Sequence, residues 1–87
     1  MTLRRRVTVG VDAGAHARPV AELARLALAH GSPVVLTTRA GEAADLTSVL
    51  AVMDLAIGSG DEVVFEVADS PGAAALLDAL EAVLSRR

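Results

Sequence analysis

His16 and Arg18 stand two residues apart, with Gly14 before them and Pro19 after them. Imidazole titrates near neutrality, so its unprotonated nitrogen can attack a phosphoryl donor at ordinary cellular pH. A guanidinium is always charged, and its forked N–H donors match the oxygens of a phosphoryl group. Gly14 reads as a turn residue, able to take backbone angles that a side chain forbids. Pro19 fits the first turn of a helix, where its missing N–H costs nothing. His16 and Arg18 are thus expected at the mouth of a helix. There the backbone N–H groups of Ala17 and Arg18 lack partners and the helix dipole favours negative charge. Nucleophile, cation and free amides together suit a phosphoryl group. Glu22, one turn beyond Arg18, has the spacing to pair with it and aim it.

Stepping outward, the chain supplies the elements that would hold such a site. Val7, Val9 and Val11 alternate with Thr8 and Gly10, the period of a half-buried strand. Val20, Leu23, Ala24, Ala27 and Leu28 recur at helical spacing, with Glu22 and Arg25 on the other side. His30-Gly31-Ser32-Pro33 stops that helix, and His30 reads as a residue meeting the helix dipole rather than as a second phosphorylation site. A second strand runs from Val34 to Thr38, with Val34 and Leu36 on one face. A turn at Arg39–Glu42 leads to a short third strand over Ala43–Leu46. Ser48 to Leu55 reads as a short helix, with Ser48 fitted to cap it. One short helix cannot bury all of Val49, Leu50, Val52 and Met53, so part of that set is expected to form an exposed apolar patch. Gly58-Ser59-Gly60 is a turn. Glu62–Val67 alternates cleanly, with Val63, Phe65 and Val67 inward. Ser70-Pro71 reads as a capped helix start. Ala73, Leu76, Leu77, Leu80, Val83 and Leu84 form that helix's stripe, and Arg86 and Arg87 end it where the dipole prefers cations.

The order β-α-β-β-α-β-α predicts an α+β fold, a two-layer open-faced sandwich. Its four-stranded antiparallel sheet would carry three helices on one face. A ferredoxin-like domain with an extra helix fits the same order. At 87 residues the chain makes one domain, 1–87, whose core is Ala, Val and Leu with Phe65 as the one aromatic residue. Without cysteine it has no disulfide, and no His/Asp/Glu cluster has metal spacing, so neither metal nor cofactor is expected. The formal net charge of −3 and the single aromatic argue against nucleic-acid binding. Arg4-Arg5-Arg6 reads as a solvated edge. No apolar run reaches membrane-span length and no signal peptide is evident, so a monomer free in the cytoplasm is the expectation.

Gly14-Ala15-His16-Ala17-Arg18-Pro19 resembles the phosphorylation site of HPr, the histidine-containing phosphocarrier of the sugar phosphotransferase system. Asp45-Leu46-Thr47-Ser48-Val49-Leu50-Ala51-Val52-Met53, followed by Leu55, Ile57 and Gly60, resembles the family's regulatory-serine region, with Ser48 as the serine. Either motif alone is weak; both, at this separation and in this element order, cover essentially the whole chain. The resemblance implies that His16 becomes a phosphohistidine and that Arg18 is its partner. Phosphoenolpyruvate-charged enzyme I would be the donor, and IIA domains of sugar transporters the acceptors. It implies a docking surface including Ala17, Val49, Leu50 and Met53. It also implies a stoichiometric carrier rather than an enzyme with its own turnover. In some members an ATP-dependent kinase modifies the serine, and the product works with transcriptional regulators. A regulatory module acting through Ser48 is therefore the alternative. Sugar uptake, a nitrogen-linked branch and a dihydroxyacetone-kinase branch all remain open. Ala13 and Ala15 stand where the family commonly has a small polar and a larger aliphatic residue, and Thr47 and Ala51 lie where basic residues are common.

Overall fold

The computed structural model describes residues 1–10 and 17–86. Val11, Gly14, His16 and Arg87, all used in the reading above, lie outside the described residues, as do Asp12, Ala13 and Ala15. Seven elements follow one another: β1 (Thr2–Thr8), α1 (Ala17–His30), β2 (Val34–Thr38), β3 (Ala43–Asp45), α2 (Val49–Asp54), β4 (Glu62–Ala68) and α3 (Ala73–Leu84). The strands form one sheet in the order β1-β4-β2-β3 with every pair antiparallel. β4 is thus inserted between β1 and β2, which run parallel to each other and are joined through α1.

Alternation decides which face is covered. Val63, Phe65 and Val67 of β4, Val34 and Leu36 of β2, and Val7 of β1 are buried against the helices. From that layer Val20, Leu23 and Ala27 of α1, Val52 of α2, and the whole Ala73-to-Leu84 stripe of α3 meet them. The opposite face carries Arg4, Arg6, Thr37 and Glu66, with Val35 and Val64 half-buried among them.

Three local expectations need correction. The first strand begins at Thr2, well before Val7, and takes in the arginine run. Arg5 points toward the helices, where its guanidinium donates to Glu81 at 2.7 Å and lies 2.9 Å from Asp78, both on α3. Those carboxylates raise its pKa above the ordinary arginine value, the Glu81 hydrogen bond contributing most. Arg4 and Arg6 stay on the open face, beside Glu66 at 3.2 Å and Glu62 at 3.6 Å. The run therefore survives inside a strand because each charge meets an acid across the fold.

Leu28 is 66% exposed. Around a helix of 3.6 residues per turn, Pro19, Leu23, Ala27, Val20 and Ala24 fill one continuous arc, and Leu28 falls just beyond its edge.

The last helix starts at Ala73, and Ser70 is not its cap. Ser70-Pro71-Gly72-Ala73 forms a turn closed by the Ala73 N–H donating to the Ser70 carbonyl at 3.1 Å. Gly72 sits at φ 87° and ψ −8°, the third-position geometry of a type II turn. Left-handed backbone there ends any helix that Pro71 could have begun.

Candidate functional site

α1 opens with Ala17 and Arg18 exposed and Pro19 and Val20 buried. Pro19 thus seals the underside of the first turn while Arg18 stands at its mouth. No acidic residue occupies that turn. A cation at the positive end of a helix adds to the dipole's positive field, so the first turn of α1 favours an anion. His16 is joined directly to Ala17 in the chain and lies outside the described residues.

Glu22 does not pair with Arg18. Its carboxylate accepts from Arg86 Nη2 at 2.8 Å, with Nη1 at 3.5 Å. Basic residue first and acid four later is the weaker order for a helical ion pair, and Arg86 brings two donors from outside the helix. Arg86 arrives there because α3 packs along α1.

The α3 terminus also meets the chain ahead of the site. The Gly10 N–H donates to the Leu84 carbonyl at 2.9 Å. A Cβ at Gly10 would collide with the carbonyls of Ser85 and Arg86. Val9 exchanges backbone hydrogen bonds with Asp61 and Gly60, both at 2.8 Å. The sequence alone reads Gly10 as an alternating position of the first strand and Arg86 only as a dipole partner. A glycine within an alternating apolar run is the available sign of close backbone packing.

The second region is built from β3 and α2. The Asp45 carboxylate accepts from the Thr47 N–H at 2.9 Å and from the Thr47 hydroxyl at 2.7 Å. The backbone hydrogen bond, and then the hydroxyl, hold the Asp45 carboxyl below the usual carboxylate range. The Ser48 N–H donates to the Asp45 carbonyl, and the Ser48 hydroxyl accepts from the Ala51 N–H at 3.3 Å. Ser48 is thus the N-cap of α2, as its position suggested, and it is exposed.

The apolar residues of α2 divide. Val52 is fully buried, Val49 and Met53 are half-buried against the core, and Leu50 is 76% exposed. Leu50 is the clear outward apolar side chain of the set. α1 and α2 are in contact, so the helix bearing Arg18 and the helix bearing Leu50 share one side of the molecule. Among the described residues, no group of His, Asp and Glu could hold a metal ion, and no helix is long and apolar enough to cross a membrane.

Residues 3–86 match the family model described as "PTS HPr component phosphorylation site". The chain is 41% identical over 76 residues to the phosphocarrier protein HPr of Streptomyces coelicolor, an alignment covering 87% of this chain and 81% of that protein. Its structure superposes on that of a phosphocarrier protein HPr from Bacillus anthracis with a TM-score of 0.84 at 27% identity, covering 97% of this chain and 98% of the other. It superposes on an HPr structure from Thermoanaerobacter tengcongensis with a TM-score of 0.82 at 18% identity, covering 94% and 90%. The sheet order and these neighbours set aside the ferredoxin-like alternative.

Proposed function

Because the chain belongs to the HPr family of the phosphotransferase system, we propose that it carries a phosphoryl group on His16 between a phosphoenolpyruvate-charged enzyme I and the IIA domains of sugar transporters. The observation that carries this reading is the first turn of α1, which holds Arg18 and no acidic residue of its own. Arg18 stands there two residues after a nucleophilic residue type, and among the described residues no acid shares its turn. In the step proposed, an unprotonated imidazole nitrogen of His16 attacks the phosphorus of the donor's phosphohistidine. The N–P bond to the donor breaks, its electron pair stays on the donor imidazole, and a new N–P bond forms on His16. The Arg18 guanidinium and the first amides of α1 offset the charge of the phosphoryl oxygens. The transfer reverses onto a IIA domain, so the protein is a stoichiometric carrier. Ala17, Val49, Leu50 and Met53 form the docking patch, in which Leu50 is the exposed large apolar side chain. On this reading the protein works in the cytoplasm, as a monomer of one domain without a cofactor.

Incubation with phosphoenolpyruvate and enzyme I, followed by intact mass and phosphorus NMR, tests the proposal. One acid-labile, base-stable phosphoryl group is expected, absent from His16→Ala and formed more slowly in Arg18→Ala. Phosphorylation of a folded His16→Ala variant overturns the assignment.

A second reading rests on the exposed Ser48 hydroxyl. A phosphate there would sit at the start of α2 without unfolding it, and would add charge beside Leu50. An ATP-dependent kinase and transcriptional regulators would then be the partners. A mass shift with ATP and such a kinase, lost in Ser48→Ala and kept in His16→Ala, is the expected result for that branch.

A further inference from the structure

The C-terminal turn of α3 touches the chain on both sides of residues 11–16. Ahead of them, Gly10 hydrogen-bonds to Leu84 and packs too closely on Ser85 and Arg86 for any Cβ. Behind them, Arg86 holds the Glu22 carboxylate at 2.8 Å. Glu22 lies four residues after Arg18 and so faces the same side of α1. Released, it would be the acid best placed among the described residues to neutralise Arg18, the guanidinium that the phosphoryl oxygens need.

We infer that Arg86 is a positioning residue: it holds Glu22 away from Arg18 and so keeps the Arg18 guanidinium available to the phosphoryl group. The inference rests on the carrier reading of His16. Arg86 touches no reacting atom; its effect is a competition among three charges, two of them on α1 and one at the end of α3. The Glu22 side chain is the less exposed partner, at 28% against 52% for Arg86, so the carboxylate is the group being held.

This competition has a signature that a merely structural role lacks. Removing Arg86 should slow phosphorylation, and removing Glu22 as well should restore it. The test measures enzyme I-driven phosphorylation of His16 in wild type, Arg86→Gln, Glu22→Gln and the double variant. Each is checked for folding by thermal melting, and each rate is taken relative to wild type at the same salt. Arg86→Gln is expected to be about twofold slower at low ionic strength, the factor corresponding to an exposed i, i+4 ion pair. The deficit should vanish near 1 M salt, where the screening length falls to about 3 Å. The double variant should match wild type. An unchanged rate in folded Arg86→Gln overturns the inference, and so does a deficit that persists in the double variant. Wild-type protein that never accepts phosphate on His16 defeats the carrier reading itself, a result distinct from either.

Discussion

At the scale of single residues, chemistry and support separate cleanly. The residue types that the carrier proposal needs are few and adjacent in sequence: an imidazole, a guanidinium two residues on, and a proline in the first turn of α1. What holds the second region is less conspicuous. Asp45 arranges the entry to α2 through two hydrogen bonds to Thr47, and its carboxyl titrates below the usual range because those bonds favour the ionised form. A carboxylate depressed by folding contributes order that is present above its unfolded value, about 3.9. That contribution is lost as pH falls through the lower folded value. The Thr47 amide resonance should therefore titrate below about pH 4, and the step should be absent in Asp45→Asn. A Thr47 amide shift that stays flat through the acid range would contradict this role.

At the scale of elements, periodicity was a good guide to what forms and a poorer guide to where it ends. β2, β4 and the apolar stripe of α3 were legible because alternation and helical spacing report burial directly. Leu28 was misplaced because it sits one step past the arc that α1 buries, a limit set by the neighbour rather than by the helix. Ser70 looked like a cap because Pro71 follows it, yet the left-handed Gly72 turns the chain before the helix begins. The close approach between the chain after β1 and the end of α3 left one glycine as its mark. Gly10→Ala should force a shift at Ser85 and Arg86 and cost about 1–3 kcal/mol, as overpacking does. Chemical denaturation measures it; a midpoint equal to wild type would mean that the α3 terminus yields freely.

At the scale of the whole molecule, one side chain dominates the core. Phe65 is fully buried in the central strand β4, between β1 and β2 and under the helix layer. A domain of this size has total stability near the lower part of the usual range of about 5–15 kcal/mol. Phe65→Ala should remove about 3–5 kcal/mol, enough to leave the domain marginal. Thermal unfolding followed by circular dichroism is the measure, and a shift of only a degree or two would show that the surrounding Val and Leu collapse into the space. The salt bridges across β1 contribute less per pair, since all are at least partly exposed.

The sequence by itself determined the element order, the inward apolar residues of β2 and β4, and the capping role of Ser48, and it carries the family resemblance at His16 and Arg18. Each of these is local, carried by spacing along the chain or by neighbouring residue types. Only the tertiary structure decided that Arg5 turns inward to acids of α3, that β4 lies between β1 and β2, and that Leu50 rather than Val49 or Met53 stands fully outward. It alone decided that Glu22 belongs to Arg86 instead of Arg18. Arg86 and Glu22 are 64 residues apart, and which of two cations an acid meets depends on how α3 packs along α1. No periodicity along the chain carries that choice.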